Sequence, residues 1–347
     1  MKLKRQILGT ATAGAVMLLP FAANAGAEIY GKIHLSADYM DTGAKEGHAL
    51  SSNATRIGLK GKEELTDSLK AVWKIELETT FAESTFKDKD TLFKARDRIF
   101  GLETKSGTLQ FGYYDTPSKS LGKKFAQFSD TVADRRGVLG YDFKEENKFD
   151  IRASDAVMYT SPSIAGLKVK LMRSAGSTAA DAAPGSDVTP VTSMSAIYDK
   201  KKYYVGIAYE DQEAKRISGV RFVGGASVVG AKVNVIFEQL SSDSKKSSDR
   251  SVYGLSGSYG IGSYTLKGQA LVADDYSGKS DSGAMMISGA VYKKVAKSFE
   301  VYGIVSRLEN DDNAKYKLTG SGHSDSYKPS DYGANMHAAS LGMIYKF

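Results

Sequence analysis

The sequence predicts an all-β fold, a transmembrane antiparallel β-barrel of about sixteen strands, and three observations point to it. Runs of about ten residues alternate apolar with polar side chains from residue 29 to Phe347. The connections between these runs fall into a short set and a long set that take turns along the chain. No segment beyond residue 25 is apolar enough for a membrane helix, and the mean hydropathy is −0.30. A period of two sends alternate side chains to opposite faces, so one face meets an apolar medium and the other does not. Roughly ten residues is also the length a tilted strand needs to cross a bilayer.

Residues 1–25 read as a cleaved secretory signal. Lys2, Lys4 and Arg5 form a positive start, Ile7 to Phe21 is mostly apolar, and Ala23-Asn24-Ala25 offers a small-x-small cleavage site. Ala25-Gly26-Ala27 is an equally good site, so the mature chain starts at Gly26 or Glu28. A retained anchor is the alternative, but the apolar run is interrupted and shorter than the roughly 20 residues a span needs. Residues 26–347 read as one domain, because no linker or shift of composition divides them.

The strands follow in order. Ile29, Gly31, Ile33, Leu35, Ala37 and Tyr39 alternate with Tyr30, Lys32, His34, Ser36 and Asp38. Ile57 and Leu59 oppose Arg56 and Lys60, and Leu69, Ala71, Trp73, Ile75 and Leu77 oppose Lys70, Lys74, Glu76 and Glu78. Leu109, Phe111 and Tyr113, then Leu167, Val169 and Leu171, then Tyr203, Val205, Ile207 and Tyr209, then Val233, Val235 and Phe237 continue the pattern. Around 96–102 and 216–225 the apolar face is ambiguous. The last run sets Ala339, Leu341, Met343, Tyr345 and Phe347 against Ser340, Gly342 and Lys346, and Ile344 alone breaks it. Tyr30, Tyr39, Trp73, Tyr113, Tyr203, Tyr209, Tyr345 and Phe347 sit near run ends, where interface belts favour amphipathic rings.

Short connections at 63–68, 104–107, 161–166, 199–202, 226–230, 259–263 and 292–297 are rich in Gly, Asp, Lys and Ser, as hairpin turns require. Long polar ones lie at 41–54, 80–94, 115–155, 174–191, 239–249, 273–283 and 309–333, with a shorter one near 211–214. An even strand number with short turns at one end and long loops at the other marks a bacterial outer-membrane barrel, with periplasmic turns and extracellular loops. A soluble sandwich or propeller would not sort its loops by length, and no 40–50-residue period suggests blades. In hydrocarbon every backbone N–H and C=O needs a partner inside the protein, so the sheet must close. Sixteen strands leave a lumen too wide for side chains to fill, hence an aqueous channel.

Composition removes several other classes. Losing Lys2, Lys4 and Arg5 with the signal lowers the net charge from +7 to +4, and the longest basic run is Lys200-Lys201-Lys202, so no nucleic-acid partner is expected. Without cysteine there is no disulfide, thiolate metal site or thiol nucleophile. His34, His48, His323 and His337 show neither metal-ligand spacing nor a Gly-x-Ser-x-Gly partner. Asp274-Asp275 and Asp311-Asp312 read as solvated loop tips, and Gly257 to Gly262 as a turn, since no helix follows it. No enzyme, cofactor or metal is expected.

Several segments together resemble the general-diffusion porins of Gram-negative outer membranes. They are Glu28-Ile29-Tyr30-Gly31-Lys32, the stretch from Arg56 to Leu65, Leu69 to Glu76, Arg98-Ile99-Phe100-Gly101-Leu102, Gly107 to Gly112 and Tyr159-Thr160-Ser161-Pro162. The terminal Tyr345-Lys346-Phe347 is similar to the signal read by the outer-membrane assembly machinery. The resemblance implies a sixteen-stranded homotrimer in the outer-membrane bilayer that passes small hydrophilic solutes and ions passively. Tyr113 stands after Gly112 where the family often has arginine, which removes one expected pore arginine. A sugar- or anion-selective channel of the same architecture is the alternative. An adhesin or structural barrel using loops 174–191 and 309–333 is a further one.

Loop 115–155 is by far the longest connection, and a loop of that size usually has a job. In the family the third long loop folds inward and narrows the barrel. Here it carries Asp130, Asp134, Asp142, Glu145, Glu146 and Asp150, with Arg135 and Arg136 between them. Alternation places Lys32, Arg56, Lys60, Lys74, Arg96 and Arg98 on the lumen face of the early strands. Acid on the loop facing base on the wall would set a field across a narrow passage and sort permeants by charge.

Overall fold

Alternation makes each run a strand, and pairing closes the strands into a cylinder. The computed structural model describes residues 26–82, 91–140, 149–175, 190–242, 249–324 and 327–347. The proposed signal, Asp142, Glu145 and Glu146 lie outside these residues. The strands are β1 (Ala27–Asp41), β2 (Glu46–Ser52), β3 (Arg56–Thr66), β4 (Leu69–Glu78), β5 (Lys94–Thr104) and β6 (Gly107–Asp115). Then come β7 (Arg152–Thr160), β8 (Leu167–Ser174), β9 (Val191–Lys200), β10 (Tyr203–Gln212), β11 (Ile217–Val228) and β12 (Ala231–Ser242). The last are β13 (Arg250–Ile261), β14 (Tyr264–Ala273), β15 (Ala284–Ala296), β16 (Phe299–Asn310) and β17 (Met336–Lys346).

From β3 onward each strand pairs antiparallel with the next, and β17 returns to β1, with Lys32 opposite Lys346 and Asp41 opposite His337. On its other side β1 pairs with β3 over Ala27 to Lys32 and with β2 over Leu35 to Asp41. β2 and β3 are therefore two halves of one stave, interrupted at 53–55, where Ala54 takes φ 48°. Sixteen staves close the barrel. Stretch 41–54 is consequently not the long loop expected. A tight turn at 42–45, with Thr42 N donating to Lys45 O at 2.9 Å and Gly43 at φ 96°, returns the chain as β2.

Outward faces are apolar all round, as with Ile29, Leu59, Phe100, Phe111, Ile207, Leu255, Ile287 and Leu341. In lipid these side chains meet acyl tails rather than water. Tyr345 and Phe347 stack at 5.8 Å on this outer side. Tyr30 turns the other way: its ring faces the lumen and its hydroxyl donates to Glu76 Oε2 at 2.7 Å, so it is not a girdle residue. No helix among the described residues is long and apolar enough to cross a membrane.

Candidate functional site

The long third loop, 116–151, folds inside the barrel in its described parts, residues 116–140 and 149–151. Its short helix α1 (Pro117–Gly122) starts on a proline and is capped by Thr116, whose Oγ1 accepts from Lys119 N at 3.2 Å. α1 packs on β9, β10 and β11. Beyond it Leu121, Phe125, Phe128, Val132, Val138 and Leu139 are buried in one apolar cluster with Val223, Ile236, Val252, Leu271 and Met286 of the inner wall. Polar pins lock this docking. Ser256 Oγ donates to Phe125 O at 2.7 Å, Arg250 Nη1 to Val138 O at 2.9 Å, Gln269 Nε2 to Ala133 O at 3.2 Å, and Gly140 N to Glu238 Oε1 at 2.7 Å.

Under the loop lies a dry ion network. Arg221 bridges Asp150 (2.8 Å) and Glu238, Arg135 reaches Asp150 at 2.6 Å, and Arg250 lies 3.4 Å from Glu238. Burial acts to raise the Asp150 carboxyl, but the charges of Arg135 and Arg221 outweigh it and hold the group well below the usual carboxylate range.

The described residues of a second loop, 311–324 and 327–335, fold in over the first. Tyr316, Leu318 and Thr319 are buried, and Lys317 N donates to Gly137 O at 3.3 Å. His323 Nε2 lies 3.0 Å from Asp38 Oδ2 on β1, and Arg136 Nη1 donates to Ser321 Oγ at 3.2 Å. Glycine permits the contact at two points: a Cβ on Gly137 would sit 1.9 Å from Lys317 O, and one on Gly322 2.0 Å from Asp130 Oδ1.

Against the loops stands the wall of β1 and β3–β7. Lys32 lies 3.1 Å from Asp130, which also takes Arg136 at 2.8 Å and Arg56 at 4.0 Å. Arg56 reaches Glu76 at 3.8 Å, and Arg96 pairs with Glu76 (2.5 Å) and with Glu78. Lys74 lies 2.7 Å from Asp97, and Arg152 bridges Asp97 (2.8 Å) and Asp115 (3.3 Å). Lys32, Arg56, Lys74, Arg96, Arg136 and Arg152 thus interleave with Glu76, Glu78, Asp97, Asp115 and Asp130, and Asp115 also takes Lys119 at 3.0 Å and Lys123. Burial acts to raise the Asp130 carboxyl, but Lys32, Arg136 and Arg56 hold it well below the ordinary range. Burial acts to lower the Arg136 guanidinium, and Asp134 and Asp130 more than restore its charge.

Of the residues expected from sequence, Lys32, Arg56, Lys74, Arg96, Asp130 and Arg136 are brought together here. Arg98 is not. A bulge between β4 and β5 pairs Ile75 with Arg98 but Leu77 with Ala95, so Arg96 and Asp97 both face inward and Arg98 swings outward. Its guanidinium sits 5.3 Å from the ring of Tyr113, which shares the outer face with Phe111. Lys60 faces the lumen near the short-turn end, paired with Glu28 at 3.1 Å and remote from Asp130. Arg135 is buried beneath the loop on Asp150, and Asp134 caps the 3-10 turn Arg135–Gly137, accepting from Arg136 N at 2.9 Å. Both hold the loop rather than line an opening. Among the described residues Asp130 is the loop acid that meets the wall, and the wall brings acids of its own, so loop acid and wall base interleave there. Glu76, Glu78, Asp97, Asp115 and Arg152 were missed. The alternation that placed Lys74 inward also placed Glu76 and Glu78 there; Arg152 was hidden because the strand starts at 152, three residues inside the segment read as loop.

A sequence profile described as Gram-negative porin matches residues 10–313. The chain belongs to the Gram-negative porin family. Its place is accordingly the outer membrane. Over 157 residues it is 29% identical to the major outer membrane protein P.IB of Neisseria sicca, 43% of this chain and 42% of that one. The chain thus spans less than half the length of that relative. In fold it resembles the anion-selective porin from Comamonas acidovorans, with a TM-score of 0.78 at 18% identity over 93% of this chain and 100% of that one. OmpT of Vibrio cholerae, solved in a trimer form, superposes with a TM-score of 0.69 at 15% identity over 93% and 99%.

Proposed function

We propose that this porin is a passive, water-filled channel for small hydrophilic solutes and ions, narrowed where loop 116–151 faces β1 and β3–β7. The interleaved ring built on Lys32, Arg56, Lys74, Arg96, Asp130, Arg136 and Arg152 carries the reading. Charges concentrated around a gap set the field across it, and such rings filter permeants. The channel works as a homotrimer, a state in which a structural relative was solved. Tyr345 and Phe347 serve as its assembly signal, and residues 1–25, or 1–27 with the alternative cleavage site, direct export and are then removed. The family to which the chain belongs is one of channels, so the reading assigns it no catalytic step. Recording single channels of folded protein in planar bilayers tests this. Ohmic, nonsaturating current is expected; saturation by one solute would favour the selective-channel reading, and a closed barrel would overturn both.

A further inference from the structure

Toward the short-turn end, the lumen wall from β8 to β14 carries lysines without the acids that neutralise the narrow zone. Lys168 and Lys170 sit between outward Leu167 and Leu171 on β8, Lys232 lies beside outward Val233 on β12, and Lys267 beside outward Leu266 on β14. Lys124, two residues past α1, descends to this level. Its Nζ lies 2.5 Å from Asp199 Oδ2 at the turn end of β9 and 5.2 Å from the Tyr204 ring centroid. Two recesses of about 410 and 490 Å³ share Lys124 and Asp199; the first adds Lys168 and Lys170, the second Lys232 and Lys267. Cavities of this size hold small solutes.

Among the described residues, none of Lys168, Lys170, Lys232 and Lys267 has a carboxylate within 4.0 Å. Lys267 rests instead over the Tyr292 ring at 3.4 Å, with Glu300 acting on it from farther away. The contrast with the narrow zone is one of balance. There Lys32, Arg56, Lys74, Arg96, Arg136 and Arg152 each lie within 4.0 Å of a carboxylate; here four lysines do not. Like charges on a low-dielectric wall focus their potential into the passage.

We propose that this lysine arc is a docking site for multivalent oxyanions, small solutes bearing linked phosphates or several carboxylates, on the periplasmic side of the narrow zone. The proposal deepens the channel reading and rests on it. An ammonium is a compact point charge on a flexible stem, without the planar fork of arginine, so affinity here follows ligand charge more than ligand shape. Such binding reverses quickly, as passage requires.

The test uses folded full-length protein in planar bilayers. Open current in potassium chloride is read first, and its absence would sink the channel reading itself, separately from this one. Phosphate, pyrophosphate and tripolyphosphate are then added to one side at a time. Block is expected to strengthen with charge and to be stronger from the short-turn side. The fourfold variant Lys168→Gln, Lys170→Gln, Lys232→Gln, Lys267→Gln should weaken tripolyphosphate block by about tenfold or more, while arginine at the same four positions retains it. If the glutamine variant forms no channels, Lys232→Gln with Lys267→Gln should still weaken block by roughly threefold. The proposal is overturned if tripolyphosphate leaves the current unchanged, if block survives the glutamine changes, or if block disappears on Lys32→Gln with Arg56→Gln while the arc is intact.

Discussion

The two halves of the lumen wall use the same strand pattern for opposite ends. From β1 to β7 the inward Lys32, Arg56, Lys74, Glu76, Arg96, Asp97 and Arg152 are charged and paired around a gap that the loops leave open, beside a small apolar patch of Tyr114, Ala156 and Met158. From β10 to β16 many are apolar and buried, because loop 116–151 lies against them: Val223, Ile236, Val252, Leu271 and Leu308 are covered completely or nearly so. Arginine itself changes meaning between the halves. Arg56 and Arg96 face the gap, whereas Arg221 and Arg250 are sealed beneath the loop on Glu238 and Asp150. A barrel that swallows a loop turns part of its wet wall into core.

The largest effect is expected at Arg221. Replacing it with alanine strands Asp150 and Glu238 in a dry site, and breaking a buried pair this way costs about 3–5 kcal/mol. The barrel ladder does not depend on it, so the loss falls on loop docking. Limited proteolysis of folded Arg221→Ala should cut within 116–151, and its channels should be noisier and wider. If the loop stays resistant and the current steady, the ion network does not hold it.

Gly137→Ala comes next. A methyl 1.9 Å from Lys317 O forces the second loop away from the first, a strain of about 1–3 kcal/mol. Faster protease cutting within 311–335, with 116–151 unaffected, is the expected sign. Asp130→Asn is smaller. It removes the acid shared by Lys32, Arg56 and Arg136, and an uncompensated charge at about 4 Å in water is worth about 1 kcal/mol, so the anion-to-cation permeability ratio should rise by at most about fivefold. Its pH dependence has a definite sign. Because the Asp130 carboxyl is held below its ordinary value, its contribution is present above the usual carboxylate range and is lost only as pH falls through the depressed value. The difference in permeability ratio between the native channel and Asp130→Asn should therefore stay constant from about pH 7 to about pH 4.5, below which ordinary carboxylates near 3.9–4.3 begin to protonate. A difference that fades with a midpoint near 5 would contradict the cluster.

The same comparison explains what was legible in the sequence. Alternation is clear where lipid lies outside and water inside, as along β1, β4 and β17, and the barrel follows from it. It blurs where the loop covers the wall: β11 reads as apolar on both faces because Ile217 and Val223 meet the loop while Val220 and Phe222 point outward. It also fails where the count slips by one residue, since a bulge leaves no mark in composition. The hairpin at 42–45 was lost because β2 is only seven residues long and polar in part. The inward fold of 311–335 depends on contacts of Gly137 and Gly322 with partners distant in sequence, which no local pattern reports.

Arg98 gives the smallest effect and the sharpest test of the bulge. Strict alternation puts Arg96 and Arg98 on one face, so each should influence permeation alike. The observed register puts Arg96 against Glu76 and Glu78 inside the barrel and Arg98 against Tyr113 outside it. Arg98→Gln should leave the reversal potential in a salt gradient unchanged, while Arg56→Gln shifts it toward cations, because that change alone removes a lumen charge. A shift for Arg98→Gln equal to that of Arg56→Gln would mean that β5 runs without the extra residue. Asp97 would then point outward, and Lys74 and Arg152 would lose the acid that now joins them across the wall.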